Sequence, residues 1–464
     1  MRQYAAVAGG YHADAMAGTP DAPIVLTGEG RHVGEAGGNA AATVTLEADG
    51  FSFALGDAPP GRAAYRDVTT VAVQQGAALV ALGEGADARR FLFERFGEGL
   101  GALVRELRDR RLRQRLADRL VELPDEPIEL VEFASGTDSG VAQLACHDRG
   151  FVLAPLDERF GWRAFRRAEI GAVSPVPERG AVRVEPAATA SHVGPREPIE
   201  LLRLGHAAVR HAARFRELRD AAAADATRLI GVLMADVSYA QRDRLGTLLV
   251  DGRPIDRSGA GDAWAVVEGA VLAEPVFAAS YRALVERGGG DAAPRWLALA
   301  PERPGADSWR GWFFVALPGN LVAMELVSPG AHATYCFRVV PRAEYGGSGP
   351  VPAEALAAAV GEISAALLDA RFLREPIGLP DEQLADARYL RYRLALAALP
   401  TLAAARRRFV ARLVHRDEKS WAGALDDLVR WHAAVRDEAA AWPGRAAQES
   451  EITEAGLPID PEDS

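Results

Sequence analysis

The chain repeats itself, and this limits what it can fold into more than any other feature of the sequence. Residues 42–73 lie on residues 142–173 without a gap at an offset of 100. Gly50, Phe51, Ala54, Asp57, Gly61, Ala64, Arg66 and Val73 recur as Gly150, Phe151, Ala154, Asp157, Gly161, Ala164, Arg166 and Val173, while Tyr65 falls on Phe165 and Leu46 on Cys146. Farther on, RELRD at 105–109 returns at 216–220, the offset having grown to 111 across the Pro- and Gly-containing residues 174–198. Two copies of one unit are expected. Each copy opens with short alternating apolar stretches, such as Val44-Leu46, Phe51-Phe53-Leu55 and Val71-Val73, punctuated by Gly, Pro and Asp. A period of two is that of a strand with one buried face. Each copy closes on a helix, marked by Phe96, Leu100, Leu103 and Leu107 in the first. In the second, Phe215, Leu218, Ala222, Ala226, Leu229, Leu233 and Val237 step by three or four, and the helix is expected to run on to about Leu249.

Several antiparallel strands followed by one amphipathic helix resemble the pleckstrin-homology-like (PH-like) fold, a small, partly open barrel whose open end the helix plugs. The resemblance covers residues 24–121 and 128–236, the second unit reaching 249 with its long helix, and rests on element order and the final helix. It implies a basic, aromatic-containing loop at the barrel mouth that meets an acidic peptide or an anionic headgroup. The residues that fit are Arg159, Trp162, Arg163, Arg166 and Arg167 in the second copy, near Phe160. Arg108, Arg110, Arg111, Arg113 and Arg115 coat the end of the first helix; the plainer reading of such a row is a solvated face paired with nearby carboxylates.

Beyond the copies the pattern changes. Residues 250–349 read as a Gly-rich connector and a third β-rich unit, with "RWLALAPER", "GWFFVAL", "NLVAMELV" and "ATYCFRVV" as strands. Residues 350–445 read as helical, broken by Pro376, Pro380 and Pro400. Residues 1–23 are expected to be a flexible N-terminus and 446–464 an acidic, disordered tail. The fold class expected is α+β: two tandem PH-like partly open barrels, each closed by a helix, a third β-rich unit and a helical C-terminal region.

Composition narrows the function. At 464 residues and 49% hydrophobic the chain is a multi-domain globular protein. A net charge of −11 argues against general nucleic-acid binding, which needs surplus positive charge. Lys419 is the sole lysine, so there is no GxxxxGK[ST] phosphate loop. Cys146 and Cys336 form no CxxC and read as core residues. No apolar span or leader pattern is present, and a cytoplasmic protein is expected, not integral to a membrane, without cofactor or metal.

Residues 256–264, "DRSGAGDAW", resemble the C-terminal signature of ribokinase-like carbohydrate kinases, and "GGNAA" at 37–41 their early substrate-side signature. The resemblance implies Asp262 as base, Gly259, Ala260 and Gly261 as an anion hole, and Asn39 as a sugar contact. Against it, that family alternates strands and helices between the two signatures, whereas here the interval holds the strand-rich copies. The following "AWAVVEGAVLA" reads as a strand entering a turn, and 256–264 as a Gly-rich connector. "HRDEKSW" at 415–421 resembles a protein-kinase catalytic loop but has Ala422 where the metal-binding asparagine belongs, and His415, Arg416 and Asp417 read as the polar end of an Arg-rich helix. "CHD" at 146–148 puts neighbours on opposite faces of a strand, and His206 and His211 are too far apart on a helix to share a metal. No catalytic set emerges. The expectation is a non-enzymatic binding or scaffolding protein with a protein partner; the alternatives are a ribokinase-like enzyme and a peripheral membrane adaptor.

Overall fold

Alternating apolar residues become alternately buried ones in the first two of three antiparallel sheets, as in the strands 40–46 and 129–135. The computed structural model describes residues 23–33, 39–83, 88–120, 126–157, 159–187, 197–234, 237–273, 275–327, 333–341, 343–345, 350–415, 417–435 and 442. The N-terminal segment and acidic tail of the sequence analysis lie, but for residue 23, outside these. The chain divides into two compact units, Met1–Ala117 and Asp118–Ser464.

The first unit holds a seven-stranded sheet: β1 (Ile24–His32), β2 (Ala40–Leu46), β3 (Gly50–Leu55), β4 (Gly61–Ala64), β5 (Val68–Gln74), β6 (Ala77–Leu82) and β7 (Arg89–Glu94), followed by α1 (Gly99–Asp118). The strand order is β4-β3-β2-β1-β7-β6-β5. Val44, Leu46, Phe51, Phe53, Val80, Phe91 and Phe93 form its core, against which α1 lays Leu103, Val104 and Leu107. Removing that apolar surface from water is what holds helix to sheet, at about 25 cal/mol per Å2.

The second copy repeats this order in β8 (Glu129–Ser135), β9 (Asp138–His147), β10 (Gly150–Pro155), β11 (Arg163–Arg166), β12 (Ile170–Val176), β13 (Ala181–Pro186) and β14 (Ile199–Leu202), running β11-β10-β9-β8-β14-β13-β12. Its helix, α2, spans Ala207–Leu233 and buries Ala212, Phe215 and Leu218 in the sheet. The expected continuous run to Leu249 is broken: α3 (Tyr239–Leu248) is a separate helix, whose N-cap Ser238 and Gln241 exchange capping-box hydrogen bonds.

The strand registers correct the gapless alignment. Leu46 pairs with Phe51 and Cys146 with Phe151, which keeps the offset of 100. Then Phe51 pairs with Ala63 but Phe151 with Phe165, so the second copy has two extra residues in the intervening loop and the offset becomes 102. An insertion of two preserves which side chains face inward. Phe165 therefore occupies the place of Ala63, and Arg167 that of Tyr65. The RELRD repeats are likewise out of phase. Arg108 donates to the Val71 carbonyl at 3.0 Å and Arg111 to the Val68 and Thr69 carbonyls at 2.6 and 2.7 Å. In the second copy Arg216 donates to the Val173 carbonyl at 2.9 Å and Arg219 to that of Gly171 at 3.4 Å. What recurs is an arginine pair at i and i+3 that occupies carbonyls of the sheet's end strand, β5 or β12, and so blunts that edge. The arginine row of α1 is thus in part structural. Gly150 has a φ of +151°, and a Cβ there would sit 1.9 Å from the Phe165 carbonyl oxygen. This close approach explains why glycine stands at both Gly50 and Gly150.

The third sheet comprises β15 (Ile255–Asp256), β16 (Arg295–Pro301), β17 (Trp309–Leu317), β18 (Leu321–Val327), β19 (Ala333–Arg338) and β20 (Phe409–Val414), in that spatial order. Helices cover both faces, so its central strands are buried throughout. On one side Leu297, Leu299, Phe313, Val315 and Leu321 pack with α5 (Trp264–Leu272), α6 (Pro275–Arg287) and α12 (Glu418–Ala434). On the other, Trp296, Trp312, Phe314, Val322 and Met324 meet α7 (Ala353–Asp369), α10 (Leu390–Ala398) and α11 (Pro400–Arg408). The short α4 (Arg257–Ala260), α8 (Glu375–Gly378) and α9 (Asp381–Leu384) complete the set.

Three expectations are overturned here. The stretch 256–264 is no connector: Asp256 ends β15 and caps α4. "AWAVVEGAVLA" is not a strand: its helix α5 buries Trp264 and Val267, and this packing outweighs the modest helix penalty of its valines. The region after 350 is not all helical: β20 pairs with β19, His415 follows that strand, and Asp417 caps α12 through the Ser420 N–H, while Arg416 lies outside the described residues.

Candidate functional site

The five residues singled out from sequence divide into outward- and inward-facing groups. Arg159 is exposed and paired with Asp157 at 2.6 Å, a contact that lowers the Asp157 carboxyl below its usual range. Trp162 lies under the Arg119 guanidinium, 3.4 Å from the ring centroid. Arg163 is bound by Asp138 and stands over the Phe133 ring. These three remain near the β10–β11 loop.

Arg166 and Arg167 turn the other way. Arg166 caps the 3-10 turn Arg167–Glu169, its guanidinium on Glu169 at 2.7 Å and on the Ala365 carbonyl of α7 at 3.2 Å, with Asp369 at 3.5 Å. Arg167 is 3% exposed and bonds Asp225 of α2 at 2.7 Å and Asp251 at 3.3 Å. Burial works against both charges, yet Glu169 with Asp369, and Asp251 with Asp225, outweigh it and raise both pKa values. Asp369 shows the opposite balance: burial pushes its carboxyl up, beyond what Arg166 and the Thr401 hydroxyl offset. Asp225, Asp251 and Asp369 lie 58 to 203 positions from these arginines, and nothing in the local sequence marks them. Only the Asp251-Gly252 dipeptide signalled a turn.

Beside this junction a cleft of about 510 Å3 opens between the second copy's turn, the segment 247–254, Trp296 and α7. Its wall is fixed by a buried chain of hydrogen bonds, Trp312 Nε1 to Ser364 Oγ and Ser364 Oγ to the Gly252 carbonyl, both at 3.0 Å. Gly252 adopts a φ of +74°, and a Cβ there would press into the Trp312 ring at 2.5 Å.

The remaining motifs serve the fold. In the GAGD stretch the Gly259 N–H, an anion-hole donor under the kinase resemblance, already donates to Asp256 Oδ1 at 2.6 Å. Asn39 belongs to the first unit, bonded to Glu94, and Asp262 to the second. The strands between them pair antiparallel. His415 sits with Glu325 at 2.9 Å and stacks on Trp421, while Ser280 donates to the same carboxylate at 2.6 Å. This buried set ties β18, α6 and the β20–α12 link together. Cys146 and Cys336 are buried free thiols, as expected, and burial pushes Cys146 up to about 12. Among the described residues no three His, Cys, Asp or Glu side chains gather as a metal site, and no helix is long and apolar enough to cross a membrane.

Compared with known protein families and with curated proteins, the chain matches none.

Proposed function

We propose that this chain is a non-enzymatic binding or scaffolding protein built on two PH-like units and directed at a protein partner. The observation that carries the reading is the strand order 4-3-2-1-7-6-5, found twice and followed each time by a helix packed on the sheet. That order and that helix support the PH-like resemblance, and such small sheets present exposed loops and edges to partners. The two copies differ in what they leave accessible. The second spends Arg166 and Arg167 on internal carboxylates, so a headgroup-binding cluster there is reduced to Arg159 and Arg163, both already paired. In the first, both positions of the corresponding hairpin and turn, Arg62 and Arg66, stay at the surface, Arg62 beside Glu47 and Asp49 at 2.9 and 3.0 Å, and because neither is drawn into the interior as Arg166 and Arg167 are, that unit is assigned the partner.

The test is affinity capture of the tagged full chain from its native lysate, beside an Arg62→Glu/Arg66→Glu variant and an Arg159→Glu variant. A stoichiometric protein that accompanies the wild type and the Arg159→Glu form, and is lost from the double variant, is the expected result. An unchanged set of co-eluting proteins across all three overturns it. So does Mg-ATP-dependent turnover by the wild type that Asp262→Asn abolishes, which would favour the kinase.

A further inference from the structure

The cleft at the second copy's junction has a charge pattern the architecture does not require. Each carboxylate on its wall is already neutralised: Glu169 by Arg166 at 2.7 Å, Asp251 by Arg167 at 3.3 Å and Glu362 by Arg408 at 2.8 Å. None is left to attract a cation. On the same walls two donors have no partner among the described residues. One is the guanidinium of Arg253, which is exposed; the other is the indole N–H of Trp296, a residue that lines the cleft and is otherwise largely buried. That N–H is not sealed off from solvent, so it is open to an acceptor that enters the cleft.

The shape adds a second constraint. Between these donors the lining is apolar, with Pro254, Val360 and Leu368. α7 turns Gly361 toward the opening, where an added Cβ would meet nothing within 4 Å. A glycine inside a helix costs on the order of 0.5–1 kcal/mol relative to alanine, and here no close contact demands it. The space it keeps is part of the cleft.

We infer that this cleft binds a small organic oxyanion carrying a flat apolar body, the anionic end taken by Arg253 and the indole N–H of Trp296 and the body lying along Val360 and Leu368. A cation is disfavoured because its carboxylates are spent, and a bare inorganic anion leaves the apolar wall wet. A mostly apolar wall with a few placed donors is the usual constitution of a small-molecule site. The inference does not rest on the partner reading above: loss of a partner through Arg62 and Arg66 leaves this cleft as it is.

The experiment is a fluorescence titration of the full chain with 8-anilinonaphthalene-1-sulfonate and with N-phenyl-1-naphthylamine, the same aromatic body without the charge. The sulfonate is expected to saturate a single site and to bind at least about tenfold more tightly than the neutral dye, the size of effect a charge-assisted contact supplies. Arg253→Gln lowers its affinity about tenfold. Gly361→Leu fills the cleft and removes the site, while thermal unfolding stays where it was or moves up, because leucine is the better helix former. Equal affinity for the two dyes, no saturable site, or a site retained by a folded Gly361→Leu protein each overturns the inference. Should Gly361→Leu fail to fold, the exposed Arg253 and the dye pair still decide it.

Discussion

At the turn after the fourth strand the two copies put different chemistry into one position. The first has Tyr65, 1% exposed, whose hydroxyl donates to the Glu47 carbonyl at 2.7 Å, an acceptor it shares with Arg110 of α1. Burial pushes that phenol up to about 12, in spite of Arg110 beside it. The second has Arg167, equally buried, whose partners are Asp225 at the far part of α2 and Asp251 beyond α3. A neutral hydroxyl can be satisfied by the nearest carbonyl, whereas a buried guanidinium needs carboxylates, and those come from outside the sheet. The same scaffold is thereby self-sufficient in one copy and tied into a larger body in the other.

The sharpest way to break this comparison is Arg167→Ala. It leaves the partly buried Asp251 without its arginine and Asp225 with only Arg228 and the Gly305 N–H, and a loss of about 3 kcal/mol, the low end for a broken buried pair, is expected from denaturant unfolding of the second unit. If that loss is no larger than the loss at Tyr65, the two positions are not different in kind. Tyr65→Phe, which removes one hydrogen bond and keeps the ring, is expected to cost about 1 kcal/mol. The smallest effect concerns Asp369. Its folded pKa is raised above 3.8, so the folded state holds that proton more tightly than the unfolded chain does, and the wild type loses stability as pH rises from about 3.8 through the raised value. Asp369→Asn escapes this loss. The variant is expected to match the wild type at pH 3 and to equal or exceed it at pH 7; a deficit that appears only at neutral pH would show that the attraction between ionised Asp369 and Arg166 outweighs the cost of burying the carboxylate.

How far the sequence reveals this architecture depends on the range of the interaction concerned. Period-two patterns at Val44-Leu46 and Phe51-Phe53 and the period of α2 are local consequences of one buried face, and they were legible. The two-residue slip between copies was hidden, because chance identities such as Arg66 with Arg166 favoured the gapless alignment over the register set by pairing. β20 and α5 were misread for a related reason: β20 is a strand through its pairing with β19, and α5 is a helix through the burial of Trp264 and Val267, neither of which local preference records. The capping box at Ser238 was written in the chain, and the length of the apolar run concealed it. Of the junction, the arginines were visible and their fate was not, since their carboxylates are contributed by distant segments.

The contact from Arg166 to the Ala365 carbonyl spans 199 residues. On a ribosome the first unit has all its sheet and most of α1 in hand before the second copy begins to emerge. The second copy's sheet and α2 are also made early, but the Arg166 contact must wait for α7, which at about 5–20 residues per second is an interval on the order of 10–40 s. During that interval Arg166 has only Glu169, while Arg167 is closed earlier, once Asp225 and Asp251, 58 and 84 residues on, have been made, so the order of synthesis completes this junction in two stages and leaves the contacts of Arg166 with α7 to the last.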